Sequence, residues 1–482
     1  MPLHSDRQHT VRRTKIVATV GPAVNSEEML RTLVRAGVNV FRINCSHGVR
    51  EDFLTSAQMV RRATADARFP VGMLFDISGP KLRVARFQGE LAVEPGGELT
   101  LVTGETDLEQ RVVGVNHPGI IRWVNQGQNV FIDDGNLLFT VQETGEGFAR
   151  LKAVNGGVVR SAKGINLPES AIDEPTITAK DREDIRTAVE AGADFLALSF
   201  VRSGDDVIEA KALVRDQGGN QAVLAKLEKR EAVDRLEEIV QLSDGVMVAR
   251  GDLGVELPPE ELPLLQKKII ETATALRKPV IVATQMLESM RFSPRATRAE
   301  INDVASAVFD YADAVMLSAE TATGRYPVES VTTMARVLEV TEVAAPRPNW
   351  DVLELGLKNK IMLAVGRAIR DTDRFCQSRL IAAFTTTGFT ASLISKLYPT
   401  QPILALAPSE TVARQLSLCR SICPVVEQQP HSFVHMLETV ERASVAFGLA
   451  AGGDRVIISG GAPFDGSRQA NLMLIHELPA GT

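Results

Sequence analysis

The chain has 482 residues, a formal net charge of −7, 44% hydrophobic and only 5% aromatic residues. This length exceeds one compact core and predicts several domains, and the acidic balance argues against a broad nucleic-acid surface. No apolar run approaches the ~20 residues of a bilayer span, and the N-terminus lacks an apolar signal region. The four cysteines form no CxxC pair. We therefore expect a soluble, cytoplasmic protein that does not contact a membrane.

Eight short β-branched segments recur along the chain, and a stretch with helical periodicity follows each of them. Strand and helix alternating eight times is typical of an α/β fold, the (β/α)8 TIM barrel, whose functional residues lie at the carboxyl ends of the strands. The predicted strands are Thr14–Val20, Val38–Cys45, Val71–Ser78, Phe195–Val201, Ala222–Glu228, Gly245–Arg250, Val280–Thr284 and Ala314–Ser318.

One connection interrupts this alternation, because the chain between Ser78 and Phe195 is too long for a loop. Its short strands and turns predict an inserted small β-barrel lid domain, with strands at Glu98–Val102, Asn129–Asp133, Leu137–Gln142 and Arg150–Val154. After residues 346–348 the pattern restarts and predicts a C-terminal α/β sheet domain, with a helix at Leu357–Arg370 and strands at Leu380–Phe384, Ile403–Leu406 and Val456–Ser459. The expected bounds are 1–78 and 176–350 for the barrel, 79–175 for the lid and 351–482 for the last domain.

Polar residues concentrate where the predicted strands end. Arg42, Asn44 and Ser46 alternate with apolar residues on the second strand and therefore share one face. Packing explains such an inward face poorly, so it indicates a binding site, although a solvated edge strand is the alternative. Asp76 ends the third strand and Arg83 follows a Gly-Pro turn, a pair that also occurs as a simple structural ion pair.

The strongest candidates are one ammonium and two carboxylates. Lys226 and Glu228 share a face of the fifth strand, and Asp252 follows Gly251, where glycine allows a ligand to approach the backbone. A buried lysine needs carboxylates or a bound anion beside it. Two carboxylates without a histidine suit Mg²⁺ or Mn²⁺ and not zinc. Thr284 offers a hydroxyl to a substrate, although a threonine at a strand end is more often a helix N-cap.

Together these segments resemble the pyruvate kinase family over nearly the whole chain. The motifs that carry the resemblance are Arg13–Val17 with Gly21-Pro22, Arg42–Gly48, Met247–Glu256, ATQMLESM from Ala283, TRAE from Thr297 and VMLSAET from Val315. Within the insertion, Ile132–Gly135 and Lys163–Pro168 resemble the lid motifs of that family. Long motifs in the family's order make the resemblance specific.

The resemblance implies a glycolytic, homotetrameric phosphotransferase that moves the phosphoryl group of phosphoenolpyruvate to ADP and yields pyruvate and ATP. Lys226 would stabilise the phosphoryl group in transfer, while Glu228 and Asp252 would hold the divalent cation. The proton donor to the enolate stays open, and Thr284 acting through water is one hypothesis. The other implied roles are phosphate contacts at Arg42 and Arg83, contacts to the substrate carboxylate at Gly251, Asp252 and Thr284, and nucleotide contacts at Asn44, His47, Arg83 and Lys163.

The third strand departs from the commonest family motif. Where many members read D-T-K-G-P-E-I-R, this chain reads D-I-S-G-P-K-L-R from Asp76. Lys81 replaces the glutamate and brings an ammonium with the same single charge as K⁺. We therefore expect turnover without K⁺, with the alternative that Lys81 is only a solvated hinge residue. The resemblance places the monovalent-cation site at Asn44, Ser46, Asp76 and the carbonyl of Ile77.

The last domain carries a second candidate site, where Phe384–Thr390 joins a strand to a helix. Backbone N–H groups and hydroxyls at such a junction form a phosphate cradle, here at Thr385, Thr386, Thr387, Gly388 and Thr390. The cradle resembles the family's activator site and predicts a sugar-phosphate or nucleotide effector, whereas the alternative is a capped helix without a ligand. Residues 461–471 follow the family's glycine-rich ending only loosely.

Two other functions stay open from the sequence. Another metal-dependent barrel acting on phosphoenolpyruvate or pyruvate would use Glu228 and Asp252, but it would not account for a lid or a C-terminal domain. A catalytically inactive homologue that senses metabolites would be expected to lack a central charge. The chain retains all of them, namely Arg42, Arg83, Lys226, Glu228 and Asp252.

Overall fold

The computed structural model describes residues 11–345, 360–464 and 470–480. In chain order the strands are β1 (Lys15–Thr19), β2 (Val40–Asn44), β3 (Gly72–Ile77), β4 (Glu90–Val93), β5 (Glu98–Val102), β6 (Val112–Gly114), β7 (Asn129–Ile132), β8 (Leu137–Gly145), β9 (Phe148–Ala153), β10 (Gly157–Arg160), β11 (Ile165–Asn166), β12 (Phe195–Leu198), β13 (Ala222–Leu227), β14 (Gly245–Ala249), β15 (Val280–Ala283), β16 (Ala314–Leu317), β17 (Leu380–Phe384), β18 (Ile403–Ala407), β19 (Ile422–Val426), β20 (Arg455–Gly460) and β21 (Leu472–Glu477).

Helices follow the barrel strands, as the periodicity predicted, and further helices lie in the two other domains. They are α1 (Glu27–Ala36), α2 (Arg50–Thr64), α3 (Gly119–Trp123), α4 (Ala179–Glu190), α5 (Gly204–Asp216), α6 (Arg230–Asp234), α7 (Leu236–Leu242), α8 (Arg250–Glu256), α9 (Leu262–Ala275), α10 (Arg298–Phe309), α11 (Ala319–Ala322), α12 (Pro327–Ala344), α13 (Lys360–Cys376), α14 (Phe389–Ser395), α15 (Glu410–Leu416) and α16 (Phe433–Ala446). Of these, α3 lies in the insertion and α13–α16 lie in the C-terminal domain. Capping boxes at Thr178 and Thr297 show why α4 and α10 begin where they do.

The first unit is a closed barrel of eight parallel strands, β1–β3 and β12–β16, which confirms the predicted TIM barrel. The prediction extended β12 to Val201, whereas the strand ends at Leu198. The apolar residues Phe200 and Val201 continue the hydrophobic run, but Phe200 has φ 54°, which no strand accommodates. The backbone therefore turns at Ser199, and this turn lies at the barrel mouth.

The insertion between β3 and α4 is a separate, strongly curled β domain with its own hydrophobic core. Its six-stranded sheet has the order β11-β7-β8-β9-β5-β6, and a two-stranded ribbon pairs β10 with β4. The four strands predicted there are present. The prediction missed β4, β6, β10 and β11, because segments of two to four residues carry too little alternation to detect.

The C-terminal domain is a five-stranded sheet of order β19-β18-β17-β20-β21, parallel except for β21. The prediction missed β19 and β21. It began the domain's first helix at Leu357, but residues 357–359 lie outside the described chain, as do 346–348 and 465–469 of the segments singled out above. None of the helices within 11–345, 360–464 and 470–480 is long and apolar enough to span a bilayer.

This domain docks on the amino-terminal end of the barrel. Leu418 is fully buried and packs with the barrel-interior residues Val17, Val40 and Leu74. Asp313, which precedes β16, accepts a hydrogen bond from Val280 N and pairs with Lys396 of the C-terminal domain. The mouth at the carboxyl ends of the strands is thereby left to the insertion.

Candidate active site

Lys226 lies at the centre of a buried polar cluster at the barrel mouth. Its Nζ is 2.8 Å from Glu228 Oε1 and 3.1 Å from Asp76 Oδ1. It also donates a 2.7 Å hydrogen bond to Ser199 Oγ. Because β3, β12 and β13 are adjacent parallel strands, residues near their carboxyl ends converge on one point.

Arg42 supplies the second cation of the cluster from β2. Its Nε lies 2.6 Å from Asp76 Oδ2, and its guanidinium donates a 3.0 Å hydrogen bond to Thr19 Oγ1. Burial alone would raise the pKa of Asp76, but Lys226 and Arg42 outweigh it and lower the pKa to about 2. Burial would likewise lower the pKa of Lys226, but Asp76, Glu228 and Asp252 hold it above its usual range. The lysine therefore stays an ammonium at neutral pH.

Glu228 and Asp252 form the carboxylate pair that the sequence predicted. Glu228 is buried, and its Oε2 accepts a 2.8 Å hydrogen bond from the backbone N–H of Phe200. Burial, and next the charge of Glu228, raise the pKa of Asp252 to about 6. A buried and a half-buried carboxylate that repel each other suit a divalent cation. Mg²⁺ takes only one or two carboxylates beside substrate oxygens and water. Over the described ranges no group of three or more acidic, histidine or cysteine side chains forms a closed metal cage, so this open pair is the site that fits the ion.

Thr284 and Gly251 meet at the start of α8. Thr284 Oγ1 accepts a 2.8 Å hydrogen bond from Gly251 N and donates one of 2.7 Å to Ala283 O. Thr284 is therefore not the N-cap of a helix that follows it in sequence. Its hydroxyl instead accepts a hydrogen bond from an N–H group in the first turn of α8. A β-carbon built on Gly251 would meet only Thr284, at 3.5 Å. The fold itself does not demand glycine there, and a ligand lying against the backbone would.

Lys81 lies on the barrel side of the insertion's entry. Its Nζ donates a 2.8 Å hydrogen bond to Ser46 Oγ, and Ser46 N donates one of 3.1 Å to Asn44 Oδ1. The carbonyl of Ile77 accepts a 2.6 Å hydrogen bond from Ser199 Oγ. Lys81 is therefore not a solvated hinge side chain; the structure brings it to the residues of the expected monovalent-cation site.

A cleft of about 260 Å³ separates the insertion from the barrel mouth. Lys81 and Asp252 line it from below, and Arg83 and Lys163 line it from the insertion. Arg83 donates a 2.8 Å hydrogen bond to Ala162 O, and Lys163 Nζ lies 2.7 Å from Asp133 Oδ1. His47 is exposed and does not line this cleft, but partial burial and then the positive charges of Lys81 and Arg83 lower its pKa.

The candidate effector loop lies apart from this mouth, near the amino-terminal end of the barrel. Thr387 and Gly388 line a second cleft of about 420 Å³ together with the barrel residue Arg277. Gly388 has φ 85°, the left-handed conformation that glycine adopts without strain. Thr385 Oγ1 is buried and, within the described part of the chain, has no hydrogen-bond partner. Thr386 is exposed and Thr390 is nearly buried.

Sequence reasoning missed the residues that hold the cluster together. Ser199 and Phe200 were assigned to the interior of a strand, so their contacts with Lys226 and Glu228 were not foreseen. Arg250 was noted as a strand end and as part of a motif but was given no role, yet it donates a 2.7 Å hydrogen bond to Thr284 O and pairs with Asp303 at 2.6 Å. The serine that interrupts the apolar run before Phe200 is the signal that could have marked the true strand end.

Comparisons with known proteins identify the family of this chain. The family model described as pyruvate kinase, barrel domain, matches residues 11–331, and the model described as pyruvate kinase, alpha/beta domain, matches residues 364–476. A pyruvate kinase of Agrobacterium vitis is 42% identical over 472 residues, 97% of each chain. One of Methylorubrum extorquens is 41% identical over 96% of this chain and 97% of its own, and one of Sporosarcina psychrophila is 40% identical over 97% and 80%. The chain therefore belongs to the pyruvate kinase family of phosphotransferases.

Proposed function

We propose that this chain carries out the family reaction, phosphoryl transfer from phosphoenolpyruvate to ADP, at the Lys226 cluster, in the cytoplasm. One observation carries the proposal: an ammonium is held between Asp76 and Glu228 at the barrel mouth, next to a carboxylate pair suited to a divalent cation. Such a transfer depends mainly on positioning and on neutralising the charge of the phosphoryl group. The cluster supplies both.

In this proposal the two cations divide the work on the phosphoryl group. Lys226, fixed from three sides, stabilises the charge that develops on the group as it leaves phosphoenolpyruvate. Arg42, fixed by Asp76 and Thr19, binds the phosphate oxygens and so orients the bond that breaks. A bound Mg²⁺ or Mn²⁺ supplies further neutralisation of phosphate charge when Glu228 and Asp252 hold it.

The substrate carboxylate is assigned to the start of α8. The N–H of Gly251 and the hydroxyl of Thr284 lie together there, and the absence of a side chain on Gly251 leaves room for the substrate. We assign the final proton transfer, to the enolate carbon, to the Thr284 hydroxyl acting through water, because Thr284 borders this position. We also assign Asp252, in the first turn of α8, to the residues that contact the substrate carboxylate.

The nucleotide is assigned to the cleft below the insertion. Arg83 and Lys163 bring positive charge to this cleft from the insertion, which suits a diphosphate. We assign further nucleotide contacts to His47 and Asn44, which follow and end β2 beside Lys81. Residues 79–175 then act as a lid whose closure excludes water from the transfer.

Turnover without K⁺ forms part of the proposal. The ammonium of Lys81 is hydrogen-bonded to Ser46 Oγ. The family resemblance places the monovalent cation of many members at this position. Asp76 and Asp252 favour its charged form, although burial and the charge of Lys226 lower its pKa.

Regulation is assigned to the cradle Thr385–Thr390. Assembly is assigned to exposed apolar side chains on two helices, α12 and α13. The hydroxyl of Thr385, which is buried and has no hydrogen-bond partner among the described residues, supports binding of a sugar phosphate or nucleotide in the cradle. Val343 on α12 and Phe375 on α13 are 81% and 85% exposed. We assign these exposed apolar side chains to the contacts between copies in the homotetramer we propose. Sedimentation velocity at increasing protein concentration measures that state.

A coupled assay of pyruvate formation tests the function. The proposal requires ADP, phosphoenolpyruvate and Mg²⁺ or Mn²⁺ together, and ATP must appear in equal amount to pyruvate. Pyruvate released without ADP would instead favour another metal-dependent barrel acting on phosphoenolpyruvate. Binding of metal and phosphoenolpyruvate without turnover would favour a metabolite sensor.

A further inference from the structure

The segment Ser199–Arg202, which leads from β12 to α5, contacts the catalytic cluster and both junctions of the insertion. We call it the coupling segment. On the cluster side, Ser199 Oγ accepts a 2.7 Å hydrogen bond from Lys226 Nζ, and Phe200 N donates one of 2.8 Å to Glu228 Oε2. Two residues of the cluster are thereby fixed by one short stretch of backbone.

The ring of Phe200 packs against the entry junction of the insertion at Gly79. A β-carbon built on Gly79 would lie only 2.7 Å from Phe200 Cδ2, and Gly79 has φ +65°. Phe200 itself has φ 54°, a conformation that costs a bulky residue free energy unless its surroundings hold it. The hydrogen bond to Glu228 and the contact with Gly79 are the interactions that hold it.

Arg202 grips the exit junction, Ile172–Thr176, from the barrel side. One guanidinium donates to three acceptors on that junction: Ile172 O at 2.5 Å, Glu174 O at 2.6 Å and Thr176 Oγ1 at 3.1 Å. A planar fork that binds several acceptors at once fixes orientation as well as distance. Its own backbone N–H is tied to Asp206 at 2.8 Å, so Arg202 is anchored on α5.

The insertion grips the same junction from the other side. The indole N–H of Trp123 donates to the carboxylate of Asp173, and the ring of His117 stacks on Trp123 with centroids 5.2 Å apart. His117 Nε2 also lies 3.5 Å from Glu174 Oε1. The exit junction is therefore clamped between the coupling segment and a tryptophan of the insertion.

We propose that Arg202 is a positioning residue that couples the position of the insertion to Lys226 and Glu228 through the coupling segment. The inference rests on the proposed function, because it assumes that the insertion closes over bound ADP. A shift of the exit junction moves Arg202, and the rigid link through Phe200 passes that shift to the N–H that orients Glu228. By reciprocity, cation binding at Glu228 shifts the insertion.

Trp123 gives this coupling a built-in optical signal. The chain has two tryptophans, Trp123 and Trp350, so a Trp350→Phe background reports Trp123 alone. In that background, Mn²⁺ with phosphoenolpyruvate and no ADP is expected to change the emission. Arg202→Met should abolish most of that change while Mn²⁺ binding, followed by electron paramagnetic resonance, persists. Arg186→Met is the matched control, because within the described part of the chain Arg186 forms an ion pair with Glu183 alone, on the surface of α4.

Steady-state kinetics supply the second readout. Losing charge-assisted hydrogen bonds at the hinge should raise the KM for ADP about tenfold, with the KM for phosphoenolpyruvate nearly unchanged. Arg202→Lys keeps the charge without the fork and should give an intermediate value, which keeps the test available if Arg202→Met does not fold. The inference would be overturned if Arg202→Met and Arg202→Lys both showed the same emission change and the same KM for ADP as Arg186→Met. Absence of turnover in every form, with the emission change intact, would refute the proposed function and leave the coupling standing.

Discussion

Lys81 Nζ donates a 2.8 Å hydrogen bond to Ser46 Oγ, which joins the entry of the insertion to the end of β2. Burial, followed by the charge of Lys226, lowers the pKa of Lys81, whereas Asp76 and Asp252 raise it. The carboxylates nearby thus face a protein ammonium at a position where a dissolved cation would otherwise be needed. Replacing that ammonium should create a need for the dissolved cation.

Lys81→Glu is therefore expected to make turnover dependent on K⁺. In tetramethylammonium buffer the kcat of the variant should fall by at least about tenfold and recover when K⁺ is added. A tenfold change corresponds to ~1.4 kcal/mol, and the electrostatic free energy lost with a unit charge near these carboxylates exceeds that amount. The unchanged enzyme should respond little. Lys152→Glu, at an exposed lysine of the insertion, controls for charge reversal. A strong K⁺ requirement in the unchanged enzyme would contradict the idea that the Lys81 ammonium takes the place of K⁺.

Lys226→Met should reduce kcat by roughly 10³-fold with little change in the KM for ADP, because the ammonium acts on charge that develops during transfer. The change also leaves Asp76 and Glu228 buried without their shared cation, so urea unfolding must accompany the kinetics. Lys211→Met is the matched control, since Lys211 pairs with Asp244 at 2.7 Å at the opposite end of the barrel. A similar loss of kcat in both variants would assign the effect to stability alone.

Mn²⁺ binding tests the carboxylate pair without requiring turnover. Glu228→Gln and Asp252→Asn should each weaken Mn²⁺ binding by at least about tenfold, because each removes a charged oxygen ligand. Asp244→Asn, at the far end of the barrel, should leave the affinity unchanged. Free Mn²⁺ measured by electron paramagnetic resonance gives the result directly. Unaltered affinity in both ligand variants would place the cation elsewhere.

The barrel was predictable because eight β-branched segments repeat with helices between them, and buried parallel strands need such residues. The candidates Lys226 and Glu228 were visible because charge at the end of an apolar run has no packing explanation. The strand end at Ser199 was not visible. Phe200 reads as a strand residue, whereas contacts distant in sequence, with Gly79 and Glu228, stabilise its left-handed conformation.

The docking of the last domain was equally hidden from the sequence. Leu418 has the composition of any core leucine, and nothing local shows that its partners are barrel residues. Asp194 has no strand-end pattern either, yet its carboxylate accepts hydrogen bonds from Met73 N and from Arg414 of the C-terminal domain, both at 2.8 Å. Interfaces between domains depend on complementarity between distant segments, which local periodicity does not encode.

Thr385→Val tests the effector cradle. Its hydroxyl is buried and finds no hydrogen-bond partner in residues 11–345, 360–464 and 470–480, so valine should keep or raise the unfolding temperature of the free protein. The same change should remove any thermal shift produced by hexose phosphates, pentose phosphates or AMP. Ser444→Ala, on α16, removes another buried hydroxyl that lacks a hydrogen-bond partner in the described structure, and it should retain the shift. No shift with any of these ligands in the unchanged protein would refute the cradle.

Leu418→Ala should loosen the amino-terminal end of the barrel from outside the barrel domain. The side chain is fully buried among residues of the barrel interior, so its loss should lower the free energy of unfolding by about 3 kcal/mol. Leu416→Ala is the matched control, because Leu416 is equally buried but packs within the C-terminal sheet. Urea unfolding should show a similar loss for both variants, whereas hydrogen exchange in β1, β2 and β3 should accelerate only for Leu418→Ala. Equal barrel protection in the two variants would show that Leu418 stabilises its own domain and does not join the two.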